Sequence, residues 1–455
     1  MGRATKATGK FISKIYTWAL SPSGQKEEKP LPVDYILLAL LSLVFILTQY
    51  EWLIRDQTPP FGDALGHFKS ALRMLNALED WNFKEIFASI GIYPPLAYLC
   101  AIPFLLIMGK TAWVGALSIC AWAPLYVFGC FLLACSLGGR STAWATTLVS
   151  ISAPVVLHFC HSFYLEFPVA ALLVLATYFL LKSETLNNRK YSILLGITIG
   201  LGLLTKINFI LYLILLLVVA PEPFVARMKV LPRWVSLLFI MILVLGLSLV
   251  FQFIYSPPNL LFRIVQENFL DIWLLFILVA FLVGLWMNKL EKKADRPEYR
   301  PFFNLIYSML VIFAISVPWW IGAMHALGVH LTTMHKSAAQ LAQPTIFILF
   351  KHLGYIAHTL PLAVIFLVIS LSVFIYLCQK DRKYKENTLI IQGMLICVLL
   401  VMIGVIVSLR TVGERYIVPV VPFIAILAFL YLGRLRHFLR VAILILIGIF
   451  SIWYI

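Results

Sequence analysis

The run DYILLALLSLVFILTQYEWLI, residues 34–54, decides the fold. At 1.5 Å per residue a helix of this length is about 30 Å long, the thickness of a bilayer's hydrocarbon core. Its apolar positions are continuous rather than alternating, which fits a membrane-spanning helix and not a barrel strand. The preceding residues 1–33 are basic and rich in Ser, Pro and Gly. No small-residue cleavage site follows the run, so it reads as an uncleaved anchor with the basic tail in the cytoplasm.

Working outward, similar runs recur at roughly 111–136, 141–158, 165–181, 191–204, 207–220, 234–253, 268–287, 302–321, 356–378, 388–409, 416–432 and 439–455. The expected fold is an all-α polytopic membrane protein with about thirteen transmembrane helices. The expected organisation is a cytoplasmic tail, 1–33, and a single transmembrane domain, 34–455, with no separate soluble domain. The apolar stretch 93–109 opens with Tyr93-Pro94-Pro95-Leu96 and contains Pro103, so it reads as a juxtamembrane half-helix on the outer surface.

Composition agrees. Of the 455 residues, 62% are hydrophobic and only 12% charged, against roughly 25% charged in soluble domains. That excludes a soluble enzyme, a disordered tail and a disulfide-stapled secreted module. The net charge of +16 would suggest nucleic acid in a soluble protein. Here the basic residues sit in short loops, so topology accounts for them and no nucleic-acid partner is expected. The seven cysteines have no metal-binding spacing and read as small core residues.

Charge tests the thirteen-crossing plan. With that number, 25 of the 36 Lys and Arg residues fall on the cytoplasmic side, while acidic residues divide evenly. The C-terminus is then outside. Eight of nine histidines lie on the outer face, which also owns the two largest loops, 55–110 and 322–355.

Four stretches carry chemistry. In the first outer loop, Pro59-Pro60-Phe61-Gly62-Asp63 precedes a helix-like run. Asp63 is either that helix's N-cap or a general base at the membrane surface. His67 lies one turn on and is able to face the same cleft. A short second connection, His158 to Pro168, contains His161, Tyr164 and Glu166. Glu166 falls where a helix enters the bilayer; it either complements the helix dipole or marks a site. In Leu204-Thr205-Lys206, the lysine is flanked by apolar segments and needs an anion or a snorkelling path. Late in the chain come Arg410, Glu414, Arg415, Tyr416 and Val418-Pro419. One arginine can pair with Glu414, leaving the other for phosphate.

In this order, the outer aspartate, Pro-Pro-Leu, the acidic second loop, Leu-Thr-Lys and Arg-Tyr before Val-Pro resemble the GT-C glycosyltransferase superfamily. The nearest branch is that of protein O-mannosyltransferases and lipid A aminoarabinose transferases. The resemblance covers roughly 34–210 and 400–432. It implies an integral membrane glycosyltransferase that moves a sugar from a polyprenyl-phosphate-linked donor to an acceptor hydroxyl or amine. The acceptor is expected to be a lipid, glycan or protein on the outer face, with inversion at the sugar. Asp63 corresponds to the catalytic aspartate. Relatives often carry Asp-Glu there, where this chain has Ala64, and Tyr93 stands where aminoarabinose transferases have Lys. Glu166, Lys206 and Arg415 match the acidic loop residue and two cationic positions.

A phosphate leaving group needs no strong acid. It needs one base for the acceptor proton and cations for the developing charge. No cofactor is certain. Some superfamily members use a divalent metal, for which Asp63 and Glu166 are the candidate ligands. His325, His330 and His335 recur at a spacing that fans them round a helix. The rival class is a transporter or lipid-linked sugar flippase, since intramembrane charges also line translocation paths.

Overall fold

The computed structural model describes residues 29–56, 58–82, 93–184, 186–206, 208–209, 269–294, 299–317, 319–320, 394, 398 and 414–432. All regular structure among these residues is helical. The elements are α1 (Pro32–Arg55), α2 (Asp63–Glu79), α3 (Leu96–Met108), α4 (Ala112–Cys120), α5 (Ala123–Ile151), α6 (Pro154–Cys160), α7 (Glu166–Lys182), α8 (Arg189–Leu203) and α9 (Phe269–Ala294). Next come α10 (Arg300–Val317), a 3-10 helix over Glu414–Val420, and α11 (Val421–Leu432).

Pro32 starts α1 because its missing N–H is not needed in the first turn. Asp34 then accepts a hydrogen bond from the Leu31 amide at 2.8 Å. One face of α1 buries Leu38, Phe45 and Leu53, while Ile36, Leu40, Leu43, Val44 and Leu47 are exposed. Such a surface is unsuited to water and suited to lipid. On α9, Leu274, Leu275, Leu278, Phe281, Leu282 and Trp286 are likewise exposed. Four helical stretches among the described residues are long and apolar enough to cross a membrane: Pro32–Arg55, Ala112–Ile151, Asp271–Lys292 and Arg300–Val317.

Two expected boundaries move. The break expected at 137–140 is a kink at Gly139, with φ 81° inside α5. Only glycine adopts that conformation without strain. The run expected to span 141–158 stops at Ile151, because Ala153 is extended before Pro154 and the chain restarts as α6. The stretch 93–109 contains α3, whose 13 residues reach only about 20 Å, too short to cross. The expected spans 207–220, 234–253, 356–378, 388–409 and 439–455 lie outside the described residues, apart from positions 208, 209, 394 and 398.

Helix α7 is the central post. It packs on α5, α8 and the 3-10 helix, while α5 also packs on α1 and α11. Described residues at the edges of two expected basic loops, 182–190 and 288–301, meet. Arg189 pairs with Glu291, and Asn304 Nδ2 donates to the carbonyls of Leu186 and Asn187 at 2.7 and 3.2 Å. Loops expected on one membrane face are therefore neighbours in space.

Candidate functional site

The site begins at α2. Gly62, with φ 59°, takes the N-cap position, and Asp63 is the first helical residue. Asp63 therefore does not cap. Its Oδ2 lies 2.5 Å from Nη1 of Arg415, and 45% of the side chain remains exposed. Burial raises its pKa, but the hydrogen bond and charge of Arg415, with Lys206 further off, outweigh that and hold it below the ordinary aspartate value.

The next two charges come from the central post and its neighbour. Glu166 opens α7, so its carboxylate also meets the positive end of that helix. Lys206 follows the end of α8, where its amide and that of Thr205 both donate to the Gly202 carbonyl at 3.0 Å. The chain then doubles back. A Cβ on Gly202 would stand 2.3–2.5 Å from the Phe209 ring, so only glycine lets Phe209 lie there. Folded this way, Lys206 is 5% exposed and Glu166 1%. Lys206 Nζ donates to Glu166 Oε1 at 2.6 Å. The lysine has found an anion and does not snorkel.

Arg415 closes the cluster. Its 3-10 helix, interrupted by Pro419, packs against α6 and α7. Arg415 Nε lies 3.4 Å from the same Glu166 oxygen. Tyr416 offers its ring face to both cations, Lys206 Nζ and the Arg415 guanidinium each 5.1 Å from its centroid. Tyr164 lies under Arg415 at 5.6 Å. Such ring faces favour cations. Two carboxylates and two cations thus form one chain, Asp63–Arg415–Glu166–Lys206.

His67, one turn after Asp63, is buried, with Nδ1 2.8 Å from the Tyr98 hydroxyl. It meets Tyr93 edge-to-face at 4.6 Å. Burial, then Lys206, push its pKa down to about 4, so the ring is neutral at pH 7. Burial and Asp63 push Tyr93 up to about 12, leaving a neutral phenol at pH 7. The backbone joins two of the motifs directly: the Leu96 amide donates to the Leu204 carbonyl at 3.0 Å, fastening Pro-Pro-Leu to Leu-Thr-Lys.

His161 is placed elsewhere. Its ring stacks on Trp52 at 3.5 Å, and His158 and Asp56 are the charges acting on it. Arg410 and the histidines at 325, 330 and 335 lie outside the described residues. Tyr98 is the residue that sequence reasoning missed; it sits just after the Pro-Pro-Leu motif and looks like ordinary helix packing. The divalent-metal reading does not fit the described donors. Asp63 and Glu166 are each held by a cation, and no group of three His, Cys, Asp or Glu among the described residues is arranged to hold a metal.

The family-model comparison falls in the branch that the ordered motifs resemble. The class is a multi-pass membrane glycosyltransferase. More narrowly, residues 93–252 match the family model described as dolichyl-phosphate-mannose-protein mannosyltransferase. That segment contains Tyr93, Tyr98, Tyr164, Glu166 and Lys206, while Asp63 and Arg415 lie outside it. No curated protein matches the chain. Two crystal structures of ArnT from Cupriavidus metallidurans, one bound to undecaprenyl phosphate and one apo, are 17% identical to the chain. Each superposes with a TM-score of 0.35, covering 88% of this chain and 75% of that one.

Proposed function

We propose that this chain transfers a sugar from a polyprenyl-phosphate-linked donor to an acceptor hydroxyl or amine at the outer face of the membrane, with inversion. One observation carries the reading. Four motifs far apart in the sequence converge into a single charge-balanced chain, Asp63–Arg415–Glu166–Lys206, open to solvent at the Asp63 end.

The roles follow from position. Asp63 is ionised at neutral pH and half-exposed, so it is available to accept the acceptor's proton as that atom attacks the anomeric carbon. The bond from the anomeric carbon to the phosphate oxygen breaks on the opposite side, and its electron pair stays with the phosphate. Lys206 and Arg415 supply the charge that stabilises that oxygen. Arg415 touches the base as well, so one guanidinium sits between the proton acceptor and the leaving group. Its fork suits phosphate oxygens better than a lysine does. In the absence of donor, Glu166 supplies the counter-charge that two adjacent, largely buried cations require.

The acceptor is a lipid, glycan or protein, and the tail 1–33 faces the cytoplasm. The test is release of polyprenyl phosphate from a labelled polyprenyl-phosphate sugar by the purified chain. A protein that moves the intact lipid across a vesicle membrane without splitting it is a transporter, and the proposal fails.

A further inference from the structure

The charged cluster contains three buried polar atoms that make no hydrogen bond among the described residues: Glu166 Oε2, His67 Nε2 and Arg415 Nε. Buried polar atoms are almost always paired, so each such exception calls for a reason. Arg415 Nε at least faces Glu166 Oε1 at 3.4 Å. The other two make no such contact among the described residues, although both belong to residues that are otherwise tied down. Glu166 Oε1 is held by Lys206 at 2.6 Å, and His67 Nδ1 by the Tyr98 hydroxyl at 2.8 Å.

A phosphate does not satisfy Glu166 Oε2. A phosphodiester has no proton to give Glu166 Oε2, and its charge is repelled there. The missing partner of Glu166 must be a donor. The missing partner of His67 must be able to give or take a proton, according to which ring nitrogen carries the hydrogen. A hydroxyl does both. An amino group is disfavoured, because Lys206 and Arg415 already flank the same carboxylate. An acidic sugar is disfavoured by Glu166 itself.

From these two atoms we infer that Glu166 Oε2 and His67 Nε2 form a subsite for the hydroxyls of a neutral sugar carried by the donor lipid. Glu166 then has two duties, one per oxygen: Oε1 holds the cations and Oε2 reads the sugar. His67 is a specificity residue fixed by Tyr98, and its neutral state at pH 7 keeps it suited to a hydroxyl. The ring of Tyr93, edge-on to His67 at 4.6 Å, closes one side of this corner. The inference rests on the donor class proposed above.

The test measures binding to the full-length chain in lipid nanodiscs. The probes are bare polyprenyl monophosphate and its mannosyl, glucosyl, xylosyl and glucuronosyl derivatives. For the wild type, at least one neutral-sugar lipid should bind about tenfold more tightly than the bare phosphate lipid, about the effect of one buried hydrogen bond to a charged group. The glucuronosyl lipid should show no advantage. His67→Phe should abolish the advantage while leaving bare-lipid affinity within about twofold, since it removes no phosphate contact. His67→Gln, which keeps a polar group at similar reach, should restore part of it. Tyr98→Phe should weaken the advantage without removing Nε2. Lys206→Met should weaken every probe alike.

The subsite is wrong if His67→Phe keeps the sugar advantage, if it weakens bare and sugar-bearing lipids equally, or if no neutral-sugar lipid outbinds the bare one. Binding of none of the probes by the wild type would instead overturn the donor class itself.

Discussion

Two buried ion-pair sites, one around Asp34 and one around Glu166, are built differently. Where α1 begins, the Asp34 carboxylate is fully used. Both oxygens accept from Arg140 Nε at 2.8 Å, one accepts from Trp144 Nε1 at 2.9 Å, and the other from the Leu31 amide. At the second site, where α7 begins, Glu166 Oε2 and His67 Nε2 lack partners among the described residues. Both sites bury a carboxylate against an arginine. The first is saturated and serves as a clasp between α1 and α5. The second is left short of hydrogen bonds among the described residues, as the ligand site proposed above requires.

The sharpest break is at the base. Asp63→Asn should lower turnover by at least about 100-fold, the low end of a general-base contribution, with folded yield kept and only a small fall in thermal stability from the lost charge beside Arg415. A variant that loses stability while its folded fraction turns over normally would make Asp63 a structural residue like Asp34. Next come the cations. Lys206→Met and Arg415→Gln should each raise the donor KM roughly tenfold to a hundredfold. The double variant should cost less than the product if both hold one phosphate. Strict additivity in titrations with labelled donor would separate their roles.

The clasp should behave in the opposite sense. Asp34→Asn removes a charge that Arg140, Trp144 and the Leu31 amide all meet. We expect a loss of about 1–3 kcal/mol in stability, read as a lower melting temperature, with normal turnover per folded molecule. If Asp34→Asn destroys turnover while leaving the melting temperature intact, the contrast between the two sites collapses.

The smallest effect concerns pH. His67 has a folded pKa of about 4 against an ordinary 6.5. The unfolded chain therefore binds more protons in that interval, and stability should fall as pH drops from 6.5 towards 4. His67→Gln should flatten that slope in thermal unfolding. Asp63 acts in the same direction at lower pH: its lowered pKa stabilises the fold above the ordinary aspartate value, and that contribution is lost as pH falls towards the folded one. Turnover should show no titration step near the ordinary histidine value of 6.5, and one removed by His67→Gln would mean the ring is charged.

Much of this contrast was legible in the sequence. Asp63, Glu166, Lys206 and Arg415 stand out because an ionisable side chain among apolar residues must find a partner. Which partner it finds was not legible. Lys206 and Glu166 belong to different apolar segments, and nothing local says that α7 and α8 lie side by side. Asp34 went unnoticed because it sits at a helix start, where an acid needs no further explanation. Tyr98 looked like any aromatic on an apolar helix. The capping role offered to Asp63 failed through one neighbour: Gly62 took the cap position and moved the aspartate one step into the helix. Pro154 marked the early end of the run expected at 141–158, a signal that continuous hydrophobicity hid.

The placement of the four charges along the chain also sets an order in time. During synthesis, Lys206 emerges soon after Glu166, so the buried carboxylate gains its first cation early. Arg415 comes much later than either Lys206 or Asp63. At about 5–20 residues per second, the stretch from Lys206 to Arg415 takes roughly 10–40 s to make. Through all of it, Asp63 lacks the arginine that will sit beside it. The four-charge chain Asp63–Arg415–Glu166–Lys206 is therefore complete only when the segment from Glu414 onward has been made.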